Sequence, residues 1–256
     1  TVISLGARAE ARVIESFGSL GSGAGLTSAV TTVVLAEGAA LEHFKLQEEA
    51  ATVDHVARVE VRQGRDSRYT SHSVSLGGGI TRNDITSTLE GEGAECTLNG
   101  LYMAAGRQHV DFHTTIDHAE PRGTSRELYK GILGGRARGV FNGRILVQPG
   151  AQKTDSQQSS QNLLLSREAE VDTKPELEIY ADDVKCSHGA TVGQLDADML
   201  FYLRSRGIDE ATAQGFLTRG FAQDVIERMS IDAVRERLER LIVTHVPGPE
   251  SAQVSP

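Results

Sequence analysis

The chain has 256 residues, 39% of them hydrophobic and 24% charged. That is an ordinary globular composition, which excludes a disordered chain, and no run approaches the ~18 apolar residues of a transmembrane helix. Lys and Arg number 26 against 35 Asp and Glu, a net charge of −9, and this balance excludes the basic footprint of a nucleic-acid or anionic-membrane binder.

The 2 cysteines, Cys96 and Cys186, cannot build a disulfide framework, and no signal peptide is visible, so a reduced cytoplasmic setting is expected, or the plastid in a plant. Glycine is abundant at 27, proline scarce at 6, and Trp absent. Turns must then come from Gly, Asn and Asp, which suits many short strands with tight corners.

In chain order, Val30–Leu35 is β-branched and stops at Glu37-Gly38. Val53, His55, Ala57, Val59 and Val61 alternate with the period of two that one buried strand face requires. Ser71–Leu76 and Ile80–Leu89 read the same way around Gly77-Gly78-Gly79. Cys96 lies in the alternating segment Glu95–Tyr102 as a small core residue. His109, His113 and His118 fall in a segment whose Val110, Phe112, Thr114, Thr115 and Ile116 favour a strand. Residues four apart on a strand lie roughly 13 Å from each other, so a mononuclear metal site from this segment is not expected. The three histidines read as polar side chains stacked inside the fold. Gly139–Val147 is expected to be two strands joined by a tight turn at Asn142-Gly143. Leu177–Tyr180 is a further strand, running toward Cys186-Ser187-His188.

The dipeptide Gly-Ala recurs at Gly6, Gly23, Gly38, Gly93, Gly150 and Gly189, with several gaps near multiples of roughly 19 residues. A rung of that length predicts a β-solenoid in preference to a β-sandwich. The pattern changes near Asp196, an N-cap followed by Met199, Leu200 and Leu203, with Gly207 as the stop. Asp209 caps a second helix carrying Ala213, Phe216, Leu217, Phe221, Val225 and Ile226, and Ser230 caps a third carrying Val234, Leu238, Leu241 and Ile242. The expected organisation is a β domain over 1–194, a helical domain over 195–246 and a disordered tail over 247–256.

Cys186 and His188 are two apart, so on a strand they share a face about 6.5 Å from each other. They are two soft ligands for zinc or iron, a nucleophile with its base, or a buried thiol beside a hydrogen-bonded imidazole. Two ligands do not complete a four-coordinate site. The acidic pairs Glu48-Glu49, Asp182-Asp183 and Asp111 with Asp117 are either solvated charge or the paired carboxylates of a glycosidase. A β-helix carbohydrate-active enzyme, a lyase or hydrolase with such a cluster in a groove, is therefore the alternative function. No nucleotide-binding, nucleophile-elbow or zinc-protease motif is present.

The run from Ala181 to Asp196, Ala-Asp-Asp-Val-Lys-Cys-Ser-His-Gly-Ala-Thr-Val-Gly-Gln-Leu-Asp, resembles the SufB/SufD family of iron–sulfur cluster assembly proteins, and within it the SufD branch. Leu200–Ile208, Leu128–Ile132, Gly139–Gly143 and Ala169–Pro175 carry the likeness further. The resemblance implies a right-handed parallel β-helix followed by a small C-terminal α-helical domain. It implies a non-catalytic scaffold that pairs with a SufB-like partner through the β-helix and docks a SufC-like ATPase through the helices. It places His188, with Cys186 as neighbour, beside a transient cluster shared with SufB, and none tightly bound to the isolated chain. Phe216, Leu217 and Phe221 are then core or ATPase contact, and Arg204 and Arg206 are ATPase contacts or solvated ends. Family members carry a helical domain before the β-helix, whereas this chain starts in strand-like sequence. An uncapped solenoid edge also predicts a homodimer of the isolated chain.

Overall fold

The structure is a computed structural model that describes residues 1–245. Its strands form two sheets. One holds β1 (Val2–Leu5), β3 (Gly25–Leu35), β5 (Val53–Gln63), β7 (Ile80–Leu89), β9 (His109–His118), β11 (Arg138–Val147) and β13 (Glu170–Ile179), in that order. The other holds β2 (Glu10–Gly18), β4 (Ala40–Glu48), β6 (Arg68–Ser75), β8 (Glu95–Ala104), β10 (Thr124–Leu133), β12 (Asp155–Leu164) and β14 (Lys185–Gly193). Each pairing is parallel, and the chain alternates between the sheets. This is the parallel β-solenoid expected from the sequence, with about seven turns.

The repeat differs from the predicted one. His55 faces Thr81, 26 residues on, and Arg138 faces Glu170, 32 residues on. One turn thus takes two strands and two corners, and the spacing near 19 has no structural counterpart. Gly6, Gly38, Gly93 and Gly150 fall at the corner that leads from the first sheet to the second, Gly23 at the opposite corner, and Gly189 inside β14. One corner is nonetheless uniform. Arg8, Gly38, Asp66, Gly93, Arg122 and Lys153 all have φ between 53° and 73°. Each donates its N–H to the corresponding corner of the next turn, at 2.7–3.1 Å. Ala39, Ser67, Ala94 and Thr154 follow and are buried beneath it.

Inward side chains of both sheets make one core, whose centre is the stack Tyr102, Phe112, Tyr129 and Phe141, with ring centroids 5.7, 5.2 and 4.8 Å apart. The expected turn at Asn142-Gly143 is absent, and β11 runs straight through it. Gly143 is there for space, since a Cβ would lie 2.3 Å from Gln158 Nε2 and 2.7 Å from Phe141 Cζ.

Three helices follow, α1 (Ala197–Ser205), α2 (Glu210–Ile226) and α3 (Asp232–His245). Asp196 and Asp209 cap the first two through their side chains, and Gly207 ends α1 with φ +85°. Ser230 does not cap α3, which starts at Asp232. Its N–H donates to Glu42 Oε1 at 3.1 Å and its hydroxyl to the other carboxylate oxygen, which ties the helices to β4. α2 and α3 bury Ala222, Val225, Ile226, Leu238 and Ile242 against Phe44, Leu46, Leu101 and Leu128 on the outer face of the second sheet. Each large side chain so covered contributes about 1.5–3 kcal/mol. Of the residues predicted as core or contact, Phe221 packs here, Leu217 is half-buried and Phe216 is 48% exposed. α1 buries none of its residues, and Met199, Phe201 and Tyr202 stand in solvent. No helix among the described residues is long and apolar enough to cross a membrane. The tail expected over 247–256 lies outside the described residues.

Candidate functional site

β14 is the end strand of its sheet and pairs with β12 alone, leaving the other edge without a strand among the described residues. In register, Cys186 faces Ser156 and His188 faces Gln158. Ser156 and Gln158 are buried inward-facing residues, so both candidates lie on the inward face of the sheet's last strand. They lie about 6.6 Å apart along the strand. Cys186 packs at the rim of a small cluster of Ile145, Val147, Ala151 and Ala181, while His188 is exposed. Burial raises the Cys186 thiol above its ordinary value. A hydrogen bond at the Ser156 backbone opposes that shift, and the nearby Asp155 charge adds to it. The group is therefore a thiol at neutral pH and must shed a proton to ligate. Among the described residues, no three His, Cys, Asp or Glu are placed to hold a metal ion. The pair is half of a ligand set.

Two interior rows of polar side chains end at these residues. In the first, His118 Nε2 lies 2.9 Å from Ser125 Oγ, which lies 2.7 Å from Ser156 Oγ, the register neighbour of Cys186. Burial pushes His118 down to about 4, so it is neutral. In the second, Gln158 Nε2 donates to Glu127 Oε2 at 2.5 Å, and Gln158 is the register neighbour of His188. Burial pushes the Glu127 carboxyl up to about 7, against the Thr114 and Gln158 hydrogen-bonding groups beside it.

The stacking expected for the other histidines holds only for His118. His109 and His113 lie on the outward face of β9, because alternation sends odd and even positions to opposite sides. His113 Nε2 sits 2.9 Å from Asp111 Oδ1, and Arg82 Nη1 bridges to Asp111 Oδ2 at 2.5 Å, a surface ion cluster. Cys96 is buried in the core as expected, and burial pushes its thiol up to about 12. The acidic pairs are not brought together as catalytic couples. Glu48 meets Arg237 on α3 at 2.8 Å, whereas Glu49 turns inward to His55 at 2.7 Å. Asp183 pairs with Lys153, and Asp117 accepts from Gln148 at 3.1 Å.

Sequence reasoning missed Ser156, Gln158 and Glu127. A signal existed in β12, whose Ser-Gln-Gln-Ser-Ser-Gln-Asn puts polar residues on both strand faces. A run of seven polar residues, Ser156–Asn162, in a strand of a packed solenoid marks a polar interior. A further buried polar cluster fills the first turns. There Lys45, pushed down to about 7 by burial, donates to Asn83, and His43 bridges Tyr69 and Glu15 at 3.0 and 2.9 Å.

A family model for the SUF system FeS cluster assembly SufBD core domain matches residues 1–221. The iron–sulfur cluster assembly protein SufD of Escherichia coli is 41% identical over 246 residues, covering 96% of this chain and 58% of that protein. A SufBD family protein of Synechocystis is 38% identical over 83% of the chain and 47% of its own length. The chloroplastic protein ABCI7 of Arabidopsis thaliana is 37% identical over 87% of the chain and 46% of its own length. The chain thus spans about half the length of the curated relatives it matches.

Proposed function

This chain belongs to the SufBD core domain family of the SUF iron–sulfur cluster assembly system, and on that premise we propose that it is a non-catalytic scaffold subunit of cluster assembly. The observation that carries the reading is the half-site. A thiol and an imidazole share one strand face at an unpaired sheet edge, with no third ligand on this chain among the described residues. A second chain pairing along that edge satisfies the free backbone groups of β14 and brings the missing ligands to His188. The partner is a SufB-like subunit, and the cluster is transient cargo held between the two. Cys186 contributes less, since its thiol is protonated in the isolated chain.

α1 is the docking element for a SufC-like ATPase. Met199, Phe201 and Tyr202 are 57%, 74% and 58% exposed, an apolar surface of the kind partner helices cover. ATP hydrolysis belongs to that partner. In its absence, the free β14 edge favours a homodimer of this chain. The compartment is the cytoplasm, or the plastid in a plant. The carbohydrate-active alternative loses its support, because its carboxylates are separately paired.

The test is reconstitution with SufB-like and SufC-like subunits, iron and sulfide without oxygen, read by visible absorbance and iron per complex. His188→Ala is expected to lower iron per complex severalfold while the complex still assembles, and Cys186→Ala to do so less. Equal cluster content in wild type and His188→Ala would overturn the ligand role.

A further inference from the structure

The row beneath His188 contains more than packing. Four buried polar atoms there, Glu127 Oε1, Gln158 Oε1, Tyr129 Oη and Thr114 Oγ1, have no hydrogen-bond partner of good geometry, although Thr114 lies close enough to Glu127 to act on its carboxyl. Their residues are 4%, 3%, 1% and 2% exposed. Buried polar groups are nearly always satisfied, and a group of exceptions calls for a functional account. The fold also makes room for this row. Gly143 on the opposing sheet leaves the space Gln158 enters, since its Cβ would sit 2.3 Å from Gln158 Nε2. Gln158 in turn holds one Glu127 oxygen at 2.5 Å.

The groups facing Glu127 supply no positive charge. β8 presents Leu98 and Cys96, and β10 itself presents Ser125 and Tyr129. β12 presents Gln158 and Ser156. The opposing strands present Phe112 and Thr114 from β9, and Phe141 and Gly143 from β11. The titratable ones are Cys96 and Tyr129, and both are driven up by burial, with the Glu127 charge raising each further. Outside the interior, Arg126 and Arg228 line the groove that Glu127 and His188 also reach, but each is already paired, with Asp155 at 3.0 Å and with Asp224 at 3.3 Å. The unfilled place for a cation in the row is the candidate site. Glu127, Gln158 and His188 are register neighbours, so two strand spacings of about 4.8 Å, roughly 10 Å in all, separate the carboxyl from His188.

We propose that Glu127 is a positioning and charge-balancing residue for the site at His188. Through Gln158 it fixes the row beneath the imidazole, and it releases its proton to solvent when a cationic cluster or iron ion occupies the site. The proposal rests on the reading of His188 given above. The step balances as one carboxyl O–H broken, one carboxylate left in the interior and one proton released per cation bound, with no redox change. Burial holds the empty carboxyl close to neutrality, which is the condition for a nearby cation to tip it. Tyr129 Oη and Thr114 Oγ1 are donors within the same cluster that can turn to a carboxylate.

The experiment uses the complex reconstituted with SufB-like and SufC-like subunits. Infrared difference spectra, iron-loaded minus empty, are recorded with 13C-labelled glutamate in this chain, and iron retention is followed against a chelator. Loading is expected to remove a protonated-carboxyl band, one that is missing from Glu127→Gln. A unit charge roughly 10 Å away at an effective dielectric near 20 sets the size of the coupling. Glu127→Gln, which keeps shape and hydrogen bonding, is therefore expected to lose iron about tenfold faster, and Glu127→Asp, too short to reach Gln158, is expected not to restore retention. A carboxyl band that persists after loading, or wild-type retention in Glu127→Gln, overturns the proposal. His188→Ala, run in parallel, tests the underlying reading separately, because unchanged retention there with an altered Glu127 band would place the cation elsewhere on the interface.

Discussion

Gly143→Ala tests the packing argument with a single methyl group. The added Cβ would lie 2.3 Å from Gln158 Nε2, and 2.7 and 2.9 Å from Phe141 Cζ and Cε1. Carbon atoms rest at about 3.5–4.0 Å, so the neighbours must yield by roughly 1 Å. Neither yields freely. Phe141 is fully buried and stacks 4.8 Å from Tyr129, and Gln158 is held by Glu127. Overpacking of this kind costs about 1–3 kcal/mol. Gly143 has no positive φ, so alanine also stabilises by about 0.4–1 kcal/mol through the unfolded chain. The net expectation is a loss of about 1–2 kcal/mol, a fall in Tm of roughly 3–6 °C for a chain of this size. It is read as a lower urea midpoint with an unchanged slope. In a Gln158→Ser background the clash with the amide is gone, so the cost should fall, leaving the part owed to Phe141. A neutral or stabilising Gly143→Ala would refute the reasoning, as would an equal cost in both backgrounds.

Acid should destabilise the fold through His118. Its pKa is about 4 in the folded chain against an ordinary 6.5, so the unfolded chain takes the proton first. That contribution is complete above about pH 6.5 and is lost as pH falls toward 4, by up to roughly 3 kcal/mol. The urea midpoint of wild type should drop over that window more than that of His118→Gln, and parallel curves would count against it. At the helix anchor, Lys130 Nζ lies 2.9 Å from Asp224 Oδ2, with side chains 7% and 47% exposed. Removing the exposed carboxylate strands a buried ammonium, whereas removing the lysine leaves only a solvated carboxylate. Asp224→Ala is thus expected to cost about 1–2 kcal/mol and Lys130→Met under about 1 kcal/mol. The reverse order in thermal melts would sink this account.

The strands and both side-chain-capped helices were legible because they rest on local rules, whereas the solenoid was expected from a repeat near 19 residues that the fold does not contain, and from the family resemblance. Alternation over Val53–Val61 and the caps at Asp196 and Asp209 need no knowledge of distant neighbours. The errors arose where a residue's reason lies one turn away. Asn142-Gly143 has turn chemistry, but Gly143 answers to Gln158 on the other sheet. Ser230 has cap chemistry, but its hydroxyl is committed to Glu42, 188 residues earlier. His109 and His118 look equivalent in sequence, yet nine residues is an odd step, and alternation sends one outward and one inward. Of the candidate site, spacing told only that Cys186 and His188 share a strand face; their role beside a cluster was an expectation from the resemblance. The rows beneath them could not be read, because pairing His118 with Ser125 and Glu127 with Gln158 requires the register of several strands.

The anchoring of the helices bears on how a partner on α1 could be felt at the edge of β14. α2 does not hang from the solenoid by its linker. Phe221 covers Lys130 with its ring, 4.5 Å from the ammonium, its carbonyl accepts from the same group at 3.2 Å, and Asp224 closes the ion pair. Lys130 is an outward residue of β10, the strand whose inward residues include Glu127 and Tyr129. Asp224 near the end of α2 and Arg228 just beyond it also line a groove of about 420 Å³ with Arg126, Gln157, Ser187 and Gly189, so the end of α2 faces β14 across that groove. A displacement of α2 is therefore felt first at β10, which is separated from β14 only by β12. Close-packed interiors transmit such strain because they have little room to absorb it. Asp224 and His188 thus line one groove although α1 and most of α2 separate them in sequence, and α2 is anchored on the same strand that carries the buried carboxyl.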